Sequence, residues 1–391
     1  MRILFLSPRQ CQPADSGAKL REYYIARALG RESELTHVAY STVHLDLPFC
    51  KRTIDVPPQR GYTARKIMQG LTGRWPLPVV NYTSAPMRGA LEDAVRGNAF
   101  DLIHLDSIHM AAYAADLQLS TGAPVVYDWH NIESEAMWRY SRHTKSKLRA
   151  VYANWTARKL GKLEDRLLRG ASGHLVCSER EREDLLRRVP QARIAVVENG
   201  VDTSYFAGEA SSERRRIVFV GSMSYHANIE AAVFFAREVW PTIHQRFPQW
   251  TLTLVGSNPA PAVQALAGSG TVEVTGTVAD VRPYYREAVA AVVPLRIGGG
   301  TRLKILEAMA AGVPVVSTPL GAEGLTVAPG SNILMAARPE QWLPHLEALA
   351  VNQQLCRALA EAGRELARTR YDWELIGRQL CQTYAGWCGV N

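Results

Sequence analysis

Short apolar runs alternate with longer amphipathic stretches along the whole chain. In the first half, the apolar runs have the length and β-branched content of strands and fall at Ile3–Ser7, Leu35–Tyr40, Leu102–Leu105, Val125–Tyr127, His174–Cys177 and Ile194–Val197. The stretches between them include helical patterns at Ala18–Leu29, Met110–Leu117, Lys145–Arg169 and Glu179–Val189. Because strands that alternate with helices form parallel sheets covered on both faces, the pattern predicts an α/β fold.

A second series of the same kind follows the polar stretch Gly208–Arg216, which is predicted to be a linker. Its strands are predicted at Ile217–Val220, Leu252–Val255, Val272–Thr275, Ala291–Val293 and Val315–Ser317. Each series is large enough for its own sheet, so we predict two doubly wound (Rossmann-like) domains, 1–205 and 206–371, that face a central cleft. Gly61–Pro78, with its glycines, prolines and cations, is predicted to be a mobile loop.

Bulk composition narrows the class of protein. A chain of 391 residues is too long for one small core, and 47% hydrophobic with 21% charged residues is normal for a globular protein. The apolar runs are too short for a transmembrane helix or a signal peptide, which predicts a cytoplasmic protein. The six cysteines form no CxxC pair, so free thiols in a reducing compartment are expected.

The net charge of +8 is distributed unevenly. Residues 1–208 carry 29 basic and 22 acidic side chains, whereas 209–391 carry 16 and 15. Within Ala136–Gly170 there are ten basic and two acidic residues, interleaved with Trp138, Tyr140, Tyr152 and Trp155. Two interpretations stay open: a surface for an anionic partner such as lipid headgroups, a lipid diphosphate or an acidic glycan, and a solvated helix face with inward aromatics. No nucleic-acid motif accompanies the charge, so no nucleic-acid partner is expected.

The strongest chemical signal is Gly298–Ala310, which begins with three glycines. The pattern predicts a strand end, a glycine turn and a helix with Thr301 as its N-cap. The free N–H groups of a helix N-terminus bind anions, usually phosphate, and Arg302 and Lys304 add positive charge there. The carboxylate of Glu307, one turn further along, can accept hydrogen bonds from ribose hydroxyls. The segment therefore predicts a nucleoside-diphosphate site, the alternative being a glycine turn before an ordinary buried helix.

This run resembles the signature of family-4 glycosyltransferases of the GT-B fold, and the match continues in Ala311–Thr318 and Gly321–Leu325. Members of that family commonly carry two glutamates seven residues apart. Glu307 corresponds to the second, and Gly299 occupies the position of the first. The resemblance implies two Rossmann-like domains and transfer of a sugar from a nucleotide-diphosphate sugar to a hydroxyl acceptor, with retention of the anomeric configuration.

The resemblance also implies roles for the domains and for residues of the second one. It makes 1–205 the acceptor side and 206–371 the donor-binding domain, with a C-terminal helix, 372–391, that packs back on the first domain. Small residues after a strand, Gly221 and Ser222, allow phosphate to approach the backbone. The remaining expected donor-binding residues are Gly256, Thr277, Val278, Gly299, Gly300, Thr301 and Glu307. Glu323, which follows a strand on the cleft side, is expected either to contact the nucleotide or to cap backbone amides. Family members often place cations in the Gly221 loop; here none lies between Arg216 and Arg237, so we expect Arg302 and Lys304 to hold the diphosphate.

In the first domain, Gly17 lies at a strand-to-helix turn and offers backbone amides to an anion, with Lys19 and Arg21 adding charge. The resemblance places this loop next to the donor diphosphate and the acceptor. His130 follows a strand and matches a family position near the reacting sugar, which makes it a candidate catalytic residue together with Arg302 and Lys304.

The sequence thus predicts a glycosyltransferase of glycan, polysaccharide or glycoconjugate biosynthesis that uses a UDP- or GDP-type donor. No cofactor and no protein-bound metal are expected, because no cluster has metal-ligand spacing. A lipid-linked or anionic acceptor, with peripheral contact at the inner face of the membrane, fits the basic first domain. Three alternatives remain: an inverting transferase with Asp128 or Asp106 as base, a sugar-nucleotide 2-epimerase-like isomerase, and a non-catalytic sugar-nucleotide-binding protein.

Overall fold

The structure is a computed structural model that describes residues 1–14, 16–58, 61–144, 146–208, 211, 213–298 and 303–389. The chain divides into two compact units, Met1–Glu198 with Ile376–Asn391 (unit 1) and Asn199–Leu375 (unit 2). Among the helices within these ranges, none combines the length and the apolar character needed to cross a bilayer.

Unit 1 contains one parallel sheet. Its described strands are β1 (Arg2–Ser7), β2 (Glu34–Tyr40), β3 (Arg52–Val56), β4 (Leu102–Asp106), β5 (Val125–Asp128), β6 (Gly173–Val176) and β7 (Ile194–Val196). They lie in the order β3-β2-β1-β4-β5-β6-β7, and each neighbouring pair is parallel. Every residue of β4 is buried, which requires cover on both faces of the sheet.

The helices of unit 1 connect these strands. They are α1 (Gly17–Glu32), α2 (Ala64–Thr72), α3 (Leu77–Asn81), α4 (Ala85–Val95), α5 (Ala114–Thr121), α6 (Glu133–His143), α7 (Lys147–Gly170) and α8 (Glu179–Arg188), with a 3₁₀ helix at Ile108–Tyr113. Helix α7 packs on the core through a long apolar stripe, in which Leu160 and Leu163 are buried.

Unit 2 repeats the plan. Its described strands are β8 (Arg216–Val220), β9 (Thr251–Val255), β10 (Val272–Gly276), β11 (Ala288–Val293), β12 (Val315–Ser317) and β13 (Leu334–Met335), in the parallel order β10-β9-β8-β11-β12-β13. Its helices are α9 (Thr203–Phe206), α10 (His226–Phe234), α11 (Trp240–Arg246), α12 (Pro261–Gln264), α13 (Arg282–Arg286), α14 (Leu303–Ala310), α15 (Trp342–Val351) and α16 (Gln353–Arg370). A π-helical turn spans Phe235–Val239, and 3₁₀ helices span Ala265–Ser269 and Pro339–Gln341.

The last helix, α17 (Trp373–Cys388), begins in unit 2 and ends in unit 1. Within unit 1, its Tyr384 hydroxyl lies 2.6 Å from His104 Nδ1 on β4. Both side chains are buried, so this bond ties the end of the helix to the middle of the sheet.

In each sheet the order in which strands are added reverses once, between β1 and β4 in unit 1 and between β8 and β11 in unit 2, while all strands stay parallel. In open parallel sheets, the loops at the carboxyl ends of two such strands diverge and leave a crevice where ligands bind. Each sheet therefore offers a crevice for a ligand at this point.

The two doubly wound parallel sheets predicted from the sequence are confirmed. Strands β3 and β13 were missed, and the helix predicted at Met110–Leu117 is a 3₁₀ helix followed by α5. The prediction of a mobile loop at Gly61–Pro78 is wrong, because α2 lies within it, capped by Thr63 Oγ1, which accepts a hydrogen bond from Lys66 N at 3.2 Å. Helix α2 has apolar side chains on one side, Ile67, Met68 and Leu71, but they are exposed and only Gly70 is buried. The glycines and prolines on both sides of this short helix led to the prediction of a loop.

Candidate active site

In unit 2, backbone approaches backbone at the carboxyl ends of β8 and β9. Gly221 N donates to Val255 O at 3.0 Å directly after β8. A Cβ atom on Gly256 would lie 1.8 Å from Gly221 O, so only glycine fits at residue 256. The glycines therefore bring these two loops into direct backbone contact beside the crevice of the sheet.

Lys304 reaches this crevice from the first turn of α14. Its Nζ lies 2.7 Å from Asn228 Oδ1 and 4.6 Å from the centre of the Phe219 ring. A Cβ atom on Gly221 would lie 2.8 Å from Lys304 Nζ, so the ammonium group sits directly over the glycine loop. Asn228 is itself fixed, because its Nδ2 donates to Ser222 O at 2.8 Å. The structure thus brings together Gly221, Ser222 and Lys304, three of the residues predicted to hold the diphosphate.

Glu307 lies one turn after Lys304 on α14. The buried Tyr285 hydroxyl donates to Glu307 Oε2 at 3.3 Å and contacts Lys304 O at 3.4 Å. Burial raises the pKa of the Glu307 carboxyl, whereas the Tyr285 hydrogen bond and the Lys304 charge act in the opposite direction. A partly desolvated carboxylate held by one donor can accept further hydrogen bonds from hydroxyls. Sequence reasoning did not find Tyr285, which precedes β11 and is far from Glu307 along the chain.

The other predicted donor residues also follow strands of this sheet. Thr277 and Val278 come directly after β10, Thr277 being exposed and Val278 partly buried. Glu323 lies in the turn after β12, and its backbone N–H donates to Leu320 O at 3.3 Å. The predicted residues Gly299, Gly300, Thr301 and Arg302 lie outside the described residues, so the Thr301 cap and the part played by Arg302 stay predictions.

In unit 1, His130 and Asp106 come together at the carboxyl ends of β5 and β4. His130 Nε2 lies 2.8 Å from Asp106 Oδ1, and Ser7 Oγ at the end of β1 lies 3.4 Å from Asp106 Oδ2. These contacts span the reversal between β1 and β4. The His130 side chain is 11% exposed, whereas Asp106 is fully buried. An imidazole oriented by a buried carboxylate, with an edge open to solvent, can exchange protons or hydrogen bonds with a ligand.

A second buried carboxyl group, Glu22 of α1, completes this cluster. Burial raises the pKa of Glu22 well above its usual range, and the negative charge of Asp106 adds to the shift. Burial acts on Asp106 in the same direction, but the charge of His130 and its hydrogen bond outweigh it and hold the pKa of Asp106 below its usual range. Glu22 therefore holds the proton and Asp106 the negative charge, with Arg9 Nε 2.8 Å from Glu22 Oε1.

The sequence analysis did not identify Glu22 or Arg9 as candidate site residues. A signal existed for Glu22, because it lies on the same helical stripe as Ile25, Ala26 and Leu29, all buried. The ligand atoms of Glu22, Asp106 and His130 lie within 4.8 Å of one another, a grouping that sequence spacing could not show. The guanidinium of Arg9 already supplies a positive charge next to Glu22, which disfavours a cation at this point.

Arg21 does not lie where it was predicted. Instead of an anion-binding position at the helix start, its guanidinium is buried, with Nη2 2.7 Å from Asp128 Oδ1 and Nη1 2.8 Å from Val197 O. Burial lowers the pKa of Arg21, but the Asp128 charge outweighs it and keeps the group charged. Gly17 is exposed at the first position of α1, and Lys19 Nζ donates to Pro13 O at 3.2 Å. Arg21 thus joins α1 to β5 inside unit 1.

Glu133, the first residue of α6, is expected to make the free energy of unfolding depend on pH. Burial and the charge of Glu164 raise the pKa of Glu133 from 4.5 to about 7. Because the folded protein then binds this proton more tightly than the unfolded chain, the free energy of unfolding decreases as the pH rises from 4.5 through about 7. We expect Glu133→Gln to abolish this decrease and to raise the melting temperature at pH 8 by about 3 °C.

The matched control is Glu135→Gln on the same helix. The Arg180 and Arg139 hydrogen bonds and charges lower the pKa of Glu135 despite its burial, so its contribution to stability is lost as the pH falls. Calorimetric melting between pH 4 and 8 should therefore give opposite effects for the two variants. Parallel curves for wild type and Glu133→Gln would show that Glu133 titrates normally.

Two models of known protein families match this chain, one in each half. The model of the family described as "Glycosyl transferases group 1" matches residues 214–352, and that described as "Glycosyltransferase Family 4" matches residues 50–205. A search of curated proteins found no match.

Solved structures of three other proteins share this fold. Sucrose-phosphate synthase from Thermosynechococcus elongatus has a TM-score of 0.75 at 20% identity, with 100% of both chains covered. HepE of Anabaena, in complex with UDP and glucose, has a TM-score of 0.66 at 17% identity, covering 98% of this chain and 99% of HepE. WaaG, a glycosyltransferase involved in lipopolysaccharide biosynthesis, has a TM-score of 0.69 at 14% identity, covering 98% and 100%. The fold is thus GT-B, and with both family matches the chain is a glycosyltransferase.

Proposed function

We propose that this glycosyltransferase uses a nucleotide-diphosphate sugar and transfers the sugar to a hydroxyl acceptor with retention of the anomeric configuration. One observation carries the donor assignment: the Lys304 ammonium lies over the Gly221 loop, with the Glu307 carboxylate one turn away on the same helix. A cation beside bare backbone fits a diphosphate, and a carboxylate at that spacing fits ribose hydroxyls. HepE, which shares the fold, was solved with UDP and with UDP-glucose.

Further donor contacts are proposed from the resemblance. Gly256 is assigned to the sugar or phosphates, Thr277 and Val278 to the nucleobase, and Glu323 to the nucleotide. Gly299, Gly300, Thr301 and Arg302 are proposed to add amides and a second cation at the diphosphate. A UDP- or GDP-type base satisfies this scheme equally, because the predicted base contacts are backbone contacts.

In the proposed mechanism, most of the rate acceleration comes from electrostatic stabilisation of the leaving group. As the bond between the sugar and the phosphate breaks, Lys304 stabilises the negative charge that develops on the leaving diphosphate. The acceptor oxygen bonds to the same face of the sugar, and its proton passes to a phosphate oxygen of the leaving group. Glycine at residue 299 suits this route, because no carboxylate base is required. His130 is proposed to hydrogen-bond the transferred sugar or the leaving phosphate.

An inverting transferase is the second candidate, and one observation favours it. His130 paired with the ionised Asp106 has the arrangement of a general base with its orienting carboxylate. The version with Asp128 as base is disfavoured, because that carboxylate is fully buried and paired with Arg21. Proton NMR of the anomeric linkage in the first products distinguishes retention from inversion.

We also propose that the reaction needs no protein-bound metal and that the protein acts in the cytoplasm. Contact with the inner face of the membrane and a lipid-linked or anionic acceptor of glycan biosynthesis fit the positive charge of the first half of the chain. The proposals about the membrane and the acceptor concern unit 1 and are independent of how the donor is bound.

Isothermal titration calorimetry with UDP and GDP tests the donor assignment. We expect one of them to bind the wild-type protein, and Glu307→Ala to weaken that binding about 100-fold, because two charge-assisted hydrogen bonds are lost. Tyr285→Phe, which leaves the carboxylate in place but removes its 3.3 Å donor, should weaken binding by less than about tenfold. Unchanged affinity in Glu307→Ala would exclude this residue from the ribose site.

A further inference from the structure

Two stretches of unit 1 contain all of the excess positive charge of the protein. Val56–Leu91 has five basic residues and Ala136–Leu163 has eight, and neither contains an aspartate or glutamate. The remaining parts of the chain carry 32 basic and 37 acidic residues. The net excess of positive charge therefore lies in these two segments, and the rest of the chain has a net negative charge.

The fold places these two segments side by side. Lys159 Nζ on α7 donates to the carbonyl oxygens at the end of α2, those of Gly70 at 2.7 Å, Leu71 at 3.2 Å and Gly73 at 2.9 Å. Ser141 Oγ on α6 lies 3.1 Å from Asn154 Oδ1 on α7. Helices α2 and α6 and the first half of α7 thus form one continuous surface, which we name the basic–aromatic face.

This face also exposes large apolar side chains. On α7, Leu148, Val151, Tyr152 and Trp155 follow the i, i+3, i+4, i+7 spacing of one helix face. Leu148 is 84% exposed and Val151 69%, although the opposite stripe of the same helix enters the core. The neighbouring helices add further exposed side chains, which are Ile67, Met68 and Leu71 on α2 and Trp138 on α6. Tyr140 of α6 is also exposed but lies two positions from Trp138 and so on another side of that helix.

Cations lie among these apolar groups. The Arg142 guanidinium stacks 4.0 Å from the Trp138 ring, and Lys159 Nζ lies 4.7 Å from the Trp155 ring. Among the described residues, no carboxylate forms an ion pair with Arg142, Lys147 or Arg149. Their charge is available to an external anion, in contrast to that of Arg139, which is paired with Glu135.

We propose that the basic–aromatic face binds the surface of a bilayer that contains anionic phospholipid. Indole and phenol rings prefer the headgroup level of a bilayer, exposed Leu and Val can enter the acyl boundary, and Lys and Arg pair with lipid phosphates. A soluble polyanion would use the cations but would gain little from Leu148 and Val151. The two basic stretches contain no carboxylate, and Glu135 at the start of α6 is already paired with Arg139 and Arg180. Such a surface matches a uniformly negative partner better than a folded protein with mixed charge.

The face lies close to the candidate catalytic residue. Helix α6 starts at Glu133, three residues after His130. Binding of the face to lipid would thus hold the loop between β5 and α6, which contains His130, near the headgroup layer. The extension that the acceptor is itself a lipid-linked molecule rests on the proposed transferase function, whereas lipid binding by the face does not.

Flotation of the full-length protein with vesicles tests the proposal. Vesicles of phosphatidylcholine with about 30% phosphatidylglycerol should carry the wild-type protein, and vesicles of phosphatidylcholine alone should not. Leu148→Glu with Val151→Glu, and separately Arg142→Glu with Arg149→Glu, should each reduce the bound fraction at least about tenfold. No sugar nucleotide is present, so the result does not depend on donor chemistry, and failure of donor binding would leave it unaffected.

Matched controls make the same changes at exposed positions elsewhere. Leu119→Glu with Val351→Glu, and Arg237→Glu with Arg357→Glu, alter the net charge equally and should leave flotation unchanged. Thermal melting confirms that each variant is folded. No binding of wild type to anionic vesicles overturns the proposal, as does equal loss in face and control variants. In a further contrary outcome, a soluble acidic polysaccharide competes fully with the vesicles for the protein while Leu148→Glu with Val151→Glu leaves flotation unchanged. That combination of results would identify a site for polyanions and would overturn the proposal of a lipid-binding face.

Discussion

Replacing Lys304 by methionine is expected to reduce kcat for sugar transfer about 1,000-fold. The ammonium group lies over the Gly221 loop and is fixed by Asn228, so under the proposed donor assignment it would contact the diphosphate without reorganisation. Lys304 is the only lysine in residues 209–391, so no other lysine of that half can replace it. Methionine keeps the length and apolar contacts of the side chain, including those with Phe219, while removing the charge.

The measurement is release of nucleoside diphosphate from UDP-glucose or GDP-mannose, whichever base binds in the calorimetric titration. Arg357→Met, at an exposed position of α16 in the same unit, is the matched control and should retain wild-type turnover. Assays in EDTA should give the same wild-type rate. A Lys304→Met protein with normal turnover, or a wild-type protein inactivated by EDTA, would show that other groups or a metal hold the diphosphate.

Replacing Asp106 by asparagine is expected to reduce kcat about 100-fold with little change in the KM of the donor. Asp106 Oδ1 lies 2.8 Å from His130 Nε2, and the amide would keep the shape but lose the charge that orients and stabilises the imidazole. Asp106 is fully buried and acts through His130, so it is a positioning residue. The expected effect is therefore on the chemical step and not on donor affinity.

Two further variants separate this role from a structural one. If Asp106 acts only through His130, Asp106→Asn added to His130→Ala should cause no additional loss of kcat. Asp101→Asn makes the same chemical change next to the opposite end of β4, at a partly exposed side chain, and should leave kcat unchanged. Additive losses in the double variant would contradict the coupling of Asp106 to His130.

Much of the proposed donor site depends on local sequence alone. The glycine-rich run before α14 and the three-residue spacing of Lys304 and Glu307 are properties of one short segment, and the helix places both side chains on adjacent positions whatever packs around it. Tyr285 and Asn228, which hold these two groups, come from other elements. No local pattern distinguishes them from ordinary polar residues of loops and helix starts.

The cluster of Glu22, Asp106 and His130 in unit 1, by contrast, could not be predicted from local sequence. Glu22, Asp106 and His130 belong to three separate elements, and they meet only because β1, β4 and β5 are neighbours in the sheet. Arg21 looked like a surface cation because charge at a helix start is usually solvated. The partner that buries it, Asp128, lies 107 residues further along the chain.

By itself, the sequence determined the two α/β series, their parallel sheets and the glycine-lysine-glutamate segment of the proposed donor site. These follow from hydrophobic periodicity and helix spacing, which act over a few residues. Only the tertiary structure decided which charges are buried in pairs, which carboxyl group keeps its proton, and that α2 and α7 expose apolar side chains on one surface. The fate of a polar or apolar side chain depends on what packs against it, and strand order sets those neighbours across long sequence separations.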